Sequence, residues 1–112
     1  MKLLEKAERI RIYTGENDKY KGRPLVDVIV EEARKMGLAG ATAFRGLSGF
    51  GANSRLHTAK ILRLSEDMPI VIEIVEHPER LAPLLDKLDE IMGEGMITKE
   101  PVDVILYRHN KN

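Results

Sequence analysis

The pattern of hydrophobic and polar positions predicts a strand followed by a helix in the first third of the chain. Apolar and polar residues alternate over residues 9–13, which is the period of a half-buried strand. Residues 15–22 form a polar stretch bounded by glycines and predict a loop. Pro24 suits the start of a helix, where its missing N–H costs nothing. A helix is then predicted up to Gly37, because apolar residues recur at helical spacing: Leu25, Ile29, Ala33 and Met36.

The middle of the chain predicts three extended segments. Residues 41–47 predict the second strand, which runs into a cluster of glycines. After a stretch without a clear period, residues 61–64 return to an extended pattern. Residues 70–75 are almost entirely β-branched and give the strongest strand signal in the chain.

A second helix and a last strand complete the pattern. Pro78 opens the helix and Gly93 ends it, and its apolar face is formed by Leu81, Leu84, Leu85, Leu88, Ile91 and Met92. Residues 102–107 predict the last strand. The order βαββαβ predicts an α+β fold of the ferredoxin-like type, with two helices on one face of a four-stranded antiparallel sheet. Residues 1–112 then form a single domain.

Two of the predicted strands are apolar on both faces. In residues 70–75 the isoleucines point one way and the valines the other, and residues 104–107 show the same feature. Two helices cover only one face of a sheet, so the other face needs a second cover. A further copy of the same chain is the simplest cover, and we therefore predict a homo-oligomer.

Composition and charge restrict the function. Eighteen Lys and Arg balance eighteen Asp and Glu, which argues against a general nucleic-acid binder. The absence of cysteine excludes disulfides, thiolate metal sites and a cysteine nucleophile. The charged start of the chain and the lack of a long apolar run lead us to expect a cytoplasmic protein without a membrane span.

The neutral total conceals an uneven distribution of charge. Residues 33–65 contain six Lys or Arg and no acid, whereas residues 73–103 contain nine acids and three Lys or Arg. The basic stretch predicts an anion-binding region inside a neutral protein. A solvated basic loop balanced by an acidic helix is the alternative.

A glycine cluster in the basic stretch is the first candidate site. Gly46, Gly49 and Gly51 follow a predicted strand, and glycine lets backbone N–H groups converge on an anion. The alternative is a hairpin loop without a ligand, which glycine also favours. Four basic residues lie close by in sequence and favour anion binding: Arg45, Arg55, His57 and Lys60.

Other chemistry has less support in the sequence. His57, His77 and His109 lack metal-ligand spacing, and His77 before Pro78 suits the start of a helix. Ser48 misses the nucleophile-elbow pattern, since Phe50 stands where a glycine belongs.

Two glycine motifs, in this order, resemble those of the PII signal-transduction family. Residues 49–51 (Gly-Phe-Gly) are similar to the root of that family's T-loop, and residues 93–95 (Gly-Glu-Gly) to its B-loop. Residues 15–25 and 46–51 look typical of the small PII-like branch, and the βαββαβ order and the length agree over nearly the whole chain. The resemblance implies a homotrimer that binds ATP or ADP in clefts between subunits. It also implies a T-loop that engages a membrane transporter or an enzyme.

The resemblance implies the following nucleotide-binding residues: Gly49, Phe50, Gly51, Gly93, Glu94, Gly95 and Arg108. Met96 stands where the family's B-loop continues with a lysine, and the candidates to supply the missing positive charge are Arg55, His57 or the Lys19–Lys21 loop. The resemblance thus implies a non-enzymatic regulatory protein that responds to an adenine nucleotide through the loop over residues 52–60. A small enzyme or metal-binding protein on the same fold, and a structural oligomer without a nucleotide, are the alternatives.

Overall fold

The computed structural model describes residues 6–51, 57–58 and 67–109. The strands of the main sheet and the two helices follow one another in the predicted order βαββαβ. In chain order the elements are β1 (Ala7–Gly15), β2 (Lys19–Tyr20), β3 (Arg23–Pro24), α1 (Leu25–Lys35), β4 (Thr42–Arg45), β5 (Ser48–Gly49), β6 (His57–Thr58), β7 (Pro69–Glu76), α2 (Pro78–Ile91) and β8 (Met96–Val102).

The main sheet confirms the predicted architecture. Within the described ranges it has four antiparallel strands in the order β4-β7-β1-β8. Two short ribbons, β2–β3 and β5–β6, flank it. The predicted strand over residues 41–47 is shorter than expected and ends at Arg45. The extended segment expected over residues 61–64 lies outside the described residues.

Both helices pack on one face of this sheet. The core combines alternate isoleucines of β1 and β7, among them Ile12 and Ile72, with the apolar faces of α1 and α2. Pro24 is the residue before α1, and Pro78 is the first residue of α2, so both prolines start a helix as expected. No helix in the described part of the chain is both long enough and apolar enough to cross a membrane.

The predicted position of the last strand is wrong. The last strand is β8, which pairs with β1 and begins six residues before the predicted start. Residues 103–109 form no strand. Ile105, which the sequence placed in this strand, is 92% exposed in the single chain. β8 lies at the edge of the sheet and is itself almost wholly exposed, so it accommodates charged residues and Pro101.

The face of the sheet opposite the helices is partly ionic. Arg9 Nη2 lies 2.7 Å from Glu100 Oε1 of β8, and Arg11 Nε lies 3.1 Å from Glu73 Oε2 of β7. The hydrogen bond from Arg9 to Glu100 holds the pKa of that carboxyl below its ordinary value. This face is therefore less apolar than the sequence pattern suggested.

An apolar row remains beside the ions on the same face. Strand register places Phe44, Val71, Tyr13 and Met96 side by side across the four strands. Phe44 is 52% exposed and Met96 54% exposed. Val71 and Val75 point to this face as expected, whereas residues 104–107 do not belong to the sheet. The homo-oligomer remains a prediction that now rests on this row.

A buried carboxylate connects the helix layer to the loop after α1. Glu76 is fully buried, and its two oxygens accept the backbone N–H of Ala39 at 2.8 Å and of His77 at 2.9 Å. Arg80 Nε lies 3.6 Å from the same carboxylate, and the Arg80 guanidinium also donates to the Gly37 carbonyl. Glu76 therefore fixes both the end of β7 and the path of the chain towards β4.

Candidate functional site

A cleft of about 490 Å³ lies where β1 ends and β7 and β8 begin. Its size is in the range of small-molecule sites, and its walls are mainly apolar with a few polar groups. The residues that line it are Tyr13, Thr14, Gly15, Asp18, Gly49, Phe50, Gly51, Asp67, Pro69, Ile70, Glu94, Gly95 and Met96.

The fold brings the two glycine motifs together at this cleft. Residues 49–51 and the pair Glu94 and Gly95 are more than 40 positions apart in the sequence, yet they line the same cavity. Gly93 and Arg108 do not line the cleft of their own chain. Arg55 lies outside the described residues, and of His57 only the backbone is described, in β6 beside Gly49. The structure thus gathers five of the predicted positions without testing their role.

Gly95 needs to be glycine for two local reasons. Its φ is +123°, a conformation that other residues rarely adopt. A Cβ at this position would lie 2.6 Å from the Tyr13 carbonyl oxygen and 2.8 Å from the Met92 Cε. The close backbone approach at Gly95 therefore serves the packing of the α2–β8 turn against β1.

Gly46 brings the first glycine segment against the start of β7. Its N–H donates to the Pro69 carbonyl at 2.7 Å, and a Cβ at Gly46 would lie 2.7 Å from the Pro69 ring. This close contact positions the chain that leads to Phe50 over the cleft. Phe50 itself is 75% exposed, so its ring is available to a flat ligand.

Two aspartates hold the turn after β1 at the rim of the cleft. Asp18 Oδ2 accepts the backbone N–H of Gly15 at 2.9 Å. Asp67 Oδ1 accepts the backbone N–H of Asn17 at 2.7 Å, and the N–H of Glu16 donates to the Met68 carbonyl. The turn after β1 and the two residues before β7 therefore form one hydrogen-bonded unit.

The charged residues in the described lining of the cleft are all acidic. The described lining contains the carboxylates of Asp18, Asp67 and Glu94 and no lysine or arginine. Met96 stands where the resemblance implies a phosphate-binding lysine, and it lines the cleft. No described residue of the lining supplies the missing positive charge.

Sequence reasoning missed Thr14, Asp18 and Asp67. Thr14 continues the apolar face of β1, and its position in an alternating pattern gave no sign of a ligand. Asp18 and Asp67 are about 50 residues apart and line the same cleft because β1 pairs with β7 as far as Gly15 and Pro69. A signal was available only for Asp18, which stands in the polar loop over residues 15–22.

The described residues contain no assembled metal site. Among them, no group of three or more potential ligands from His, Asp and Glu lies close enough together to hold an ion. His77 is the residue before α2, as its sequence position suggested, and His109 lies beside the ring of Tyr107.

Comparisons with known proteins agree with this fold. The model of the DUF190 family, described as "uncharacterized ACR", matches residues 7–104. A UPF0166 protein of Aquifex aeolicus (strain VF5) is 35% identical over 102 residues, which cover 89% of this chain and 94% of that protein. A UPF0166 protein of Methanocaldococcus jannaschii is 33% identical over 93 residues, which cover 82% of this chain and 85% of that protein.

A solved structure shows the same architecture. It is CPII, a nitrogen regulatory PII-like protein from Thiomonas intermedia K12, bound to ADP, AMP and bicarbonate. The TM-score is 0.66 at 17% identity, over 90% of this chain and 97% of CPII. The comparison confirms the predicted PII-like ferredoxin-type fold.

Proposed function

The chain belongs to the DUF190 family, and we propose that it is a PII-like regulatory protein which binds an adenine nucleotide at the cleft between its two glycine motifs. The single observation that carries the proposal is that residues 49–51, Glu94 and Gly95 meet at one cavity of ligand size. The fold shared with CPII, which binds ADP and AMP, makes this ligand class the first to test. The proposed role is regulatory and not enzymatic.

The described walls of the cleft suit a purine. Phe50 offers an exposed aromatic ring, and Ile70 and Met96 add apolar surface. Stacking of a base on an aromatic ring is worth about 1–3 kcal/mol. The apolar part of the cleft is therefore the proposed place of the base, which needs no charged side chain there.

Assembly into a homotrimer completes the proposal. The apolar row of Phe44, Val71, Tyr13 and Met96 faces away from both helices, and a second copy of the chain is its proposed cover. Met96 and Tyr13 belong both to this row and to the cleft. A neighbouring subunit that packs on this row would thus border the cleft. Arg108 of that neighbour is the proposed source of the positive charge that the cleft lacks.

Signalling is proposed to run through the chain between Gly51 and Asp67. Both of these residues line the cleft, so a ligand there contacts the chain on either side of residues 52–66. A change in this connection on binding would alter the fit to a protein target, a transporter or an enzyme.

Calorimetric titration of the purified chain with ATP, ADP and AMP tests nucleotide binding. We expect saturable binding of at least one of the three, and a roughly tenfold loss of affinity in Phe50→Ala as stacking is removed. Leu47→Ala is the matched control, because Leu47 is 80% exposed in the same segment and does not line the cleft. Absence of binding for all three nucleotides would refute the proposal.

A further inference from the structure

The segment after β8 (residues 103–109) is attached to the loop between α1 and β4. Tyr107 Oη donates a hydrogen bond to the Ala39 carbonyl oxygen at 3.4 Å. In the described part of the chain, this is the only hydrogen bond that joins the segment after β8 to the rest of the protein. Ile105 is 92% exposed and Leu106 65% exposed, whereas Tyr107 is half-buried. Tyr107 is therefore the point at which the segment is held.

A buried carboxylate fixes the loop that receives Tyr107. Glu76 is fully buried and accepts the N–H of Ala39 at 2.8 Å. The Arg80 guanidinium donates to the carbonyl of Gly37, two residues before Ala39. Ala39 thus has its N–H bound to the end of β7 and its carbonyl bound to Tyr107. The loop is therefore a fixed support for the segment after β8.

This support lies at the end of the sheet opposite the cleft. Pro69 lines the cleft, and Glu76, which binds the loop, is the last residue of the same strand. The seven residue steps between them span about 23 Å along a strand. Arg108 follows the anchored Tyr107 directly and does not line the cleft of its own chain. A cleft that Arg108 serves therefore belongs to another subunit.

The neighbours of Arg108 restrict the direction of its side chain. The rings of Tyr107 and His109 have centroids 6.1 Å apart, so these two side chains lie on one side of the segment. In an extended chain alternate residues share one side, and the residue between them points to the other. Arg108 is exposed, and it forms no ion pair within the described ranges. Its guanidinium is therefore presented away from its own subunit.

On the basis of the proposed function, we propose that Tyr107 is a positioning residue for Arg108. Its contact with Ala39 holds the segment after β8 so that the Arg108 guanidinium reaches the phosphates of an adenine nucleotide in a neighbouring subunit's cleft. Tyr107 itself does not touch the nucleotide. It orders the segment before the ligand arrives, which reduces the cost of ordering this segment on binding.

Calorimetric titration of the full chain with ATP, ADP and adenosine tests this role. Arg108→Ala should weaken ATP and ADP at least about tenfold and leave adenosine unchanged, because a charge-assisted contact to phosphate is lost. Tyr107→Ala should weaken ATP and ADP about fivefold and leave adenosine unchanged, because the segment must then be ordered on binding. Tyr107→Phe keeps the ring and loses the hydroxyl, so its affinity for ATP should lie between those of the wild type and Tyr107→Ala.

A double-mutant cycle separates positioning from a structural role. If Tyr107 acts through Arg108, the double variant Tyr107→Ala/Arg108→Ala should bind ATP as Arg108→Ala alone does. A merely structural role would add its own loss to that of Arg108→Ala and would weaken adenosine as well. The matched control is Leu106→Ala, at an exposed residue of the same segment, which should keep the wild-type affinity for all three ligands.

The outcomes distinguish this inference from the proposed function. If Arg108→Ala weakens ATP but Tyr107→Ala binds ATP as the wild type does, the inference is wrong and the proposed function stands. The same holds if the two losses add in the double variant, or if Tyr107→Ala weakens adenosine as much as ATP. If ATP and ADP bind but Arg108→Ala does not weaken them, the inference is wrong and nucleotide binding at the cleft stands. If no nucleotide binds the wild type, both are wrong.

Discussion

The two glycines of the Gly-Glu-Gly motif provide a matched pair of substitutions with opposite expected effects. Gly95 has φ +123°, and a Cβ there would lie 2.6 Å from the Tyr13 carbonyl oxygen. Gly93 has a φ outside the positive range, and nothing lies within 4 Å of its ideal Cβ. Gly95→Ala should therefore destabilise the fold, and Gly93→Ala should not.

The magnitude for Gly95→Ala follows from two contributions. An alanine held at this φ costs about 1–3 kcal/mol of backbone strain. The contact with the Tyr13 carbonyl is closer than the 3.0 Å that real Cβ atoms keep, so β8 must move from β1 near Met96. The loss of about one backbone hydrogen bond adds about 1 kcal/mol. We expect a total of about 3 kcal/mol, which for a chain of this size lowers the melting temperature by about 12 °C.

The assay is urea and thermal unfolding followed by circular dichroism, at one protein concentration for all variants. Gly93→Ala should match the wild type or gain a few tenths of a kcal/mol, since alanine reduces the freedom of the unfolded chain. The reasoning fails if Gly95→Ala unfolds within about 0.5 kcal/mol of the wild type, which is the usual range of harmless surface changes. It also fails if Gly93→Ala is equally destabilising.

Three further predictions concern the core and the outer face of the sheet. Glu76→Leu should lower the unfolding free energy by about 3–5 kcal/mol in the same assay, because two buried backbone N–H groups lose their acceptor. Arg9 lowers the pKa of Glu100 in the folded protein. The pair therefore contributes its full stabilisation above the unfolded-state pKa of about 4.3, and loses it as the pH falls through the lower pKa of the folded state. The difference in unfolding free energy between wild type and Glu100→Gln should thus be constant near neutral pH and shrink below about pH 5. Val71→Glu places a charge in the apolar row and should convert the proposed trimer to monomers in light scattering at micromolar concentration, with unchanged circular dichroism.

The strands and helices could be predicted from the sequence wherever their apolar residues are buried within the single chain. The buried isoleucines of β7 pack with both helices, so the apolar run around Ile72 identified the strand correctly. The last strand was misplaced for the opposite reason. Met96–Val102 lies at the exposed edge of the sheet and tolerates charges and Pro101, whereas Ile105 belongs to an apolar run that the single chain does not bury.

The candidate site was only half visible in the sequence. Glycine motifs are local, so residues 49–51 and Gly95 stand out in a single pass along the chain. Thr14 is marked by its burial and by the lack of a partner within the described ranges, and both are properties of the folded chain. Asp67 is marked by its bond to Asn17, which exists only after β1 and β7 have paired.

The position of the cleft sets a condition on any signal that passes through it. A ligand shifts the connection between Gly51 and Asp67 only if its affinity differs between two arrangements of that connection. Moving such an equilibrium from 1:9 to 9:1 needs a difference of roughly 80-fold, or about 2.6 kcal/mol. One neutral hydrogen bond supplies about 1 kcal/mol, which alone changes the ratio about fivefold, so a shift of this size needs about three such contacts. A signalling ligand must therefore gain or lose several contacts between the two arrangements, and a ligand with equal affinity for both binds without shifting the equilibrium.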